Sequence, residues 1–89
     1  MEKRELIIVN KLGLHARAAA KFVTLASQYA SDIHVTRDSQ QVNGKSIMGV
    51  MMLAAGKGSR IVITADGQDE AEALDRLGKL VEERFGEDE

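Results

Sequence analysis

Residues 5–9 (ELIIV) are apolar and rich in β-branched side chains, a pattern that suits a buried strand. Residues 10–14 (NKLGL) read as a loop. From Ala16 the period changes. Ala19, Phe22, Val23 and Ala26 recur at spacings of three and four, the buried stripe of an amphipathic helix, with Lys21, Thr24 and Gln28 towards water. That helix is expected to fade over residues 27–30. Residues 32–37 (DIHVTR) alternate, with Ile33 and Val35 on one face and His34 and Thr36 on the other, as in a half-buried strand. Asp38-Ser39 is turn chemistry before a short return strand over 40–42, and Asn43-Gly44 marks another turn. Ser46 then stands before IMGVMMLAA as the N-cap candidate of a short helix. This helix is apolar nearly all round: Val50, Leu53 and Ala54 are expected inside, and Ile47, Met48 and Met51 in water. Residues 60–65 (RIVITA) predict a strand and Asp66-Gly67 a turn. From about Asp69 to Phe85, a last helix places Leu74, Leu77, Leu80, Val81 and Phe85 on one stripe. Its acidic first turn (Asp69, Glu70, Glu72) complements the helix dipole. Residues 86–89 (GEDE) are expected to be a frayed acidic tail.

The order β-α-β-β-α-β-α has a hairpin in its middle and no regular βαβ repeat. It predicts an α+β fold in which one mainly antiparallel sheet is covered by helices on one face. At 89 residues the chain is expected to form one domain, 1–89, with one modest core. Composition narrows the function. The only aromatic residues are Phe22, Tyr29 and Phe85, too few to make a stacking platform for single-stranded nucleic acid. The net charge is −2 without a long basic run, which also argues against nucleic acid as a partner. No cysteine is present, so a disulfide framework and a thiolate metal site are excluded, and a reducing cytoplasm fits. No segment has the length of a signal-peptide core or a membrane span, so a cytoplasmic protein without membrane insertion is expected.

The candidate chemistry lies at the mouth of the first helix, in LGLHARAAAKFV (residues 12–23). The first N–H groups of a helix lack internal partners, and that end is partly positive. It is a ready anion site, and it favours the neutral, nucleophilic form of a nearby imidazole. A phosphoryl group on His15 would sit among the N–H groups of Ala16, Arg17 and Ala18. The Arg17 guanidinium adds donors matched to phosphate oxygens. The segment therefore suits a phosphohistidine site that needs no metal and no cofactor. On spacing alone the plainer reading, an exposed His at a helix start beside a surface Arg, is the favoured one.

LGLHARAAAKFV resembles the active-site signature of the histidine-containing phosphocarrier (HPr) family of the bacterial phosphoenolpyruvate-dependent phosphotransferase system. Chain length, element order, the VNGKSIMGVMMLAAGKG segment and the acidic-then-apolar last helix are similar too, so the resemblance spans essentially the whole chain. It implies an open-faced two-layer sandwich with a four-stranded antiparallel sheet. It also implies a phosphocarrier rather than a true enzyme. His15 would be phosphorylated on Nδ1 and Arg17 would contact the phosphoryl group. Enzyme I would be the donor and enzyme IIA domains the acceptors, in sugar uptake. One position departs: most members have Pro where this chain has Ala18, a residue that keeps its N–H and favours helix. The N-K-L-G-L-H wording and this Ala leave open a regulatory carrier of a nitrogen-related branch; a second alternative is an interaction module that keeps the fold without phosphorylation, against which the intact His15 and Arg17 argue.

Ser46 has a structural role as an N-cap, and in some relatives the matching Ser is phosphorylated by an HPr kinase/phosphorylase. Ile47, Met48 and Met51 are expected to form a docking surface, because flexible methionine suits successive unrelated partners. A patch this small fits transient contacts, so a monomer is expected. His34 has no acidic or thiol neighbour at ligand spacing and reads as an exposed strand residue.

Overall fold

In the computed structural model, which describes residues 1–89, the first strand is shifted towards the N-terminus relative to the apolar run: β1 is Glu2–Ile7 rather than 5–9. The physical reason is that one face of the sheet is open. Lys3 and Glu5 pair with Thr64 and Val62 on that face and stay exposed, so charged residues extend the strand at little cost. Ile8 leaves the strand but not the core. It is fully buried, its N–H donates to Ser59 O (2.9 Å) and its carbonyl accepts from Gly58 N–H (2.7 Å).

The other elements are α1 (Ala16–Ala26), β2 (Asp32–Arg37), β3 (Gln40–Asn43), α2 (Ile47–Met52), β4 (Arg60–Asp66) and α3 (Glu70–Glu82). A 3₁₀ turn follows at Arg84–Gly86. The sheet order is β1-β4-β2-β3, and every pairing is antiparallel. The fold is thus the α+β sandwich with one open face. On the covered face Leu6, Ile33, Val35, Ile61, Ile63 and Ala65 meet α1 through Phe22 and Ala19, and α3 through Leu74, Leu77 and Val81. Arg4 also lies on this side. It escapes burial of its charge by running beneath α3 at Gly78, where any Cβ would come within 2.7 Å of its Nη1, and by donating to Leu74 O (3.3 Å).

One expectation needs correction. Ala54 is exposed, not core: helix α2 ends before it, Ala54 takes a left-handed φ of +50°, and the chain turns Ala55 inward instead. The tail lies against the first loop, where Lys11 N–H donates to Glu89 O (2.7 Å). Helix α3 stops at Glu82, and Arg84 and Phe85 adopt φ of +59° and +56°. Left-handed geometry costs roughly 1–2 kcal/mol per non-glycine residue. Burial of Phe85, worth about 2–3 kcal/mol, and a bond from Lys21 Nζ to Phe85 O (2.7 Å) offset that cost. The chain is thereby turned back across the start of α1. No helix is long and apolar enough to cross a membrane.

Candidate functional site

The site is assembled on the loop before α1. Gly13 has φ +66° and passes so close to the α2–β4 connection that a Cβ would lie 2.5 Å from Ala55 O. Only glycine fits both the angle and the space. The approach is fastened by the Leu14 N–H donating to Ala55 O (2.9 Å). Asn10 completes the loop from inside. It is fully buried, and its Nδ2 donates to Gly13 O (2.8 Å).

His15 is therefore delivered at the N-cap of α1, with extended backbone (φ −72°, ψ 177°). Its carbonyl accepts from Ala19 N–H (2.8 Å), but its side chain does not cap. The N–H groups of Ala16, Arg17 and Ala18 have no acceptor in the chain. These are the orphan donors of a helix start, aimed at the region of the imidazole. Ala16 and Arg17 are exposed, whereas Ala18 is fully buried. The Arg17 guanidinium makes no ion pair or hydrogen bond and is free to meet an anion. An open depression of about 600 Å³ is lined by Lys11, Leu12, His15, Arg17 and the tail residues Glu87 and Asp88.

The tail supplies what the sequence pattern did not reveal. Glu87 Oε2 is hydrogen-bonded to His15 Nε2, and Glu87 Oε1 accepts from Asn10 Nδ2 (3.0 Å). His15 Nδ1 makes no hydrogen bond within the chain. The imidazole, then the Asn10 amide, hold the Glu87 carboxyl below the usual carboxylate range, against the opposing effect of burial. Neither Asn10 nor Glu87 carries a local signature: the first reads as loop and the second as tail. A contact between residues 72 positions apart leaves no trace in periodicity.

The remaining candidates fall as follows. Ser46 is the N-cap of α2, and its Oγ accepts from Gly49 N–H (3.0 Å). Ile47, Met48 and Met51 are exposed, and Met52 (66% exposed) and Leu12 (65%) enlarge the apolar surface beyond the sequence-based set. Val50 and Leu53 are buried beneath them. His34 is half-buried on the open sheet face, opposite Thr64 and Asn43 and remote from this site.

Comparison with known proteins agrees along the whole chain. A family model described as the PTS HPr component phosphorylation site matches residues 2–83. The phosphocarrier protein HPr of Cupriavidus necator is 54% identical over 89 residues, covering 100% of both chains. The phosphocarrier protein HPr of Neisseria meningitidis is 55% identical with the same coverage. Among solved structures, HPr-C-His from Thermoanaerobacter tengcongensis is 46% identical and superposes with a TM-score of 0.96 over 100% of both chains.

Proposed function

This chain belongs to the PTS HPr family of phosphocarrier proteins, and we propose that it accepts its phosphoryl group from enzyme I on His15 and passes it to enzyme IIA domains in sugar uptake. The observation that carries this reading is the meeting of His15 with three uncommitted helix N–H groups and the unpaired Arg17. A phosphoryl group on Nδ1 brings about two negative charges to the partly positive end of α1. The N–H groups of Ala16 and Arg17 solvate its oxygens without reorganisation, and the Arg17 guanidinium supplies charge-assisted bonds. The chain acts as a stoichiometric carrier, in the cytoplasm. Ile47, Met48 and Met51 form the surface on which donor and acceptor dock in turn. Ser46, already bonded at the start of α2, is the regulatory phosphorylation site where the organism has an HPr kinase/phosphorylase.

The test is transfer itself. With phosphoenolpyruvate and a bacterial enzyme I, intact mass spectrometry is expected to find one added phosphoryl group, labile in acid and absent from His15→Ala. Discharge by the enzyme IIA of a sugar permease supports the uptake role, whereas discharge only to a regulatory IIA domain overturns it. No phosphorylation of the folded protein beside a working enzyme I control overturns the carrier reading.

A further inference from the structure

We propose that Glu87 is a positioning residue for phosphoryl transfer: its carboxylate holds the His15 ring through Nε2–H and so presents Nδ1 as the nucleophile. The inference rests on the carrier reading above and adds to it a residue from the far end of the chain. An ionised carboxylate only accepts hydrogen bonds. Its partner nitrogen, Nε2, must therefore carry the proton, and in the neutral ring the lone pair is left on Nδ1. Nδ1 is also the ring nitrogen that has no partner in the chain.

Glu87 is built into place rather than resting on the surface. Its side chain is only 16% exposed. Its second oxygen is held by Asn10, which is itself fully buried and bonded to the backbone of the loop that delivers His15. The tail is pinned on both sides of it, by Lys21 Nζ to Phe85 O (2.7 Å) and by Lys11 N–H to Glu89 O (2.7 Å). The left-handed pair Arg84–Phe85 makes the reversal that brings it there. The other charges facing the same depression are Lys11, Arg17, Asp88 and Glu89. None of them has a hydrogen bond to the ring.

The chemistry balances. The Nδ1 lone pair forms the bond to phosphorus, while the bond from phosphorus to the donor's leaving atom breaks and its electron pair goes to that atom. The His15 ring becomes an N-phosphorylated imidazolium that keeps its Nε2 proton. The Glu87 carboxylate lies beside that proton and offsets the new ring charge. On transfer to the acceptor the Nδ1–P bond breaks, its electron pair returns to Nδ1, and the ring is again neutral with the same tautomer.

The test compares the full-length protein with Glu87→Ala and Glu87→Gln. It reads the His15 ring nitrogens by ¹⁵N NMR, the site of phosphorylation, and the initial rate of phosphorylation by enzyme I and phosphoenolpyruvate. Amide spectra check that each variant is folded. The wild type is expected to show a proton on Nε2 and the phosphoryl group on Nδ1 alone. In Glu87→Ala, an Nδ1–H form is expected to appear and the rate to fall about tenfold, by analogy with the lower end of the loss when the partner orienting a metal-bound imidazole is removed. Glu87→Gln keeps an acceptor oxygen and is expected to recover part of both. A folded Glu87→Ala with the wild-type ring pattern overturns the proposal, and so does an altered ring pattern with an unchanged rate. If the wild type accepts no phosphoryl group, the carrier reading fails instead, and the ring spectra still decide whether Glu87 sets the tautomer.

Discussion

The family resemblance implies Pro where this chain has Ala18, and the surroundings of Ala18 suggest what the difference does. Pro at this position would lack an N–H, whereas Ala18 retains one with no acceptor in the chain. The residue is fully buried, so an oxygen reaches that N–H only from the N-cap side of the first turn. Phosphorylation of His15 is expected to shift the amide proton of Ala18 downfield together with those of Ala16 and Arg17. An Ala18 amide that stays in place while the other two move would show that the third donor is unused. Gly13 illustrates the complementary constraint. Its positive φ and its approach to Ala55 O are conditions for His15 to stand at the helix mouth at all.

Between elements, the link from the end of α1 to the start of α3 has its own electrostatic character. Asp69 does not cap its own helix. Its carboxylate instead accepts from the Ser31 hydroxyl, the Ala30 N–H (2.8 Å) and the Ser31 N–H (3.0 Å), tying α3 to the turn before β2. The Ser31 hydroxyl, followed by the Ala30 N–H, lowers the carboxyl below its ordinary range. A group with a lowered folded pKa stabilises fully above its unfolded value, near pH ~4, and loses that contribution as pH falls through the folded value. Asp69→Asn keeps the shape but not the titration. Its urea midpoint is expected to lie below that of the wild type near neutral pH, with the gap closing as pH falls to about 2. A gap of constant size across that range would remove the titration from the explanation. The acidic first turn of α3 was legible as dipole chemistry. That Asp69 spends its carboxylate on another element was not, because its partners lie 38 and 39 positions away.

The molecule as a whole separates what it buries from what it offers. Sheet, α1 and α3 close one core, while α2 contributes Val50 and leaves Met48 75% exposed. A side chain so exposed contributes little to stability, since surface substitutions usually stay within about 0.5 kcal/mol. A minority of interface side chains, those buried near its centre, cost more than about 1 kcal/mol when truncated. Met48→Glu is therefore expected to leave the thermal midpoint nearly unchanged while raising the KM for enzyme I about tenfold, or ~1.4 kcal/mol. An unchanged KM would place docking elsewhere on the surface.

The elements of this protein follow from short-range pattern. The stripe Ala19–Phe22–Val23–Ala26, the alternation of DIHVTR and the Ser before IMGVMM each specify a local geometry through 3.6- or 2-residue periodicity or through capping chemistry. The helix-mouth position of His15 is legible for the same reason, since a helix start and its orphan N–H groups are local properties. Ala54 shows where local pattern ends. Apolar character suggested burial, but a left-handed turn after α2 exposes Ala54 and buries Ala55. The tail shows it more strongly. A glycine and three acidic residues at the chain's end carry no periodic signal, and Glu87 reaches His15 because the core takes Phe85 and the chain reverses there. Which residues stand at a helix mouth is decided within a few residues of the chain. Which carboxylate stands beside the imidazole depends on how the last residues pack back onto the first loop, through contacts that exist only after folding.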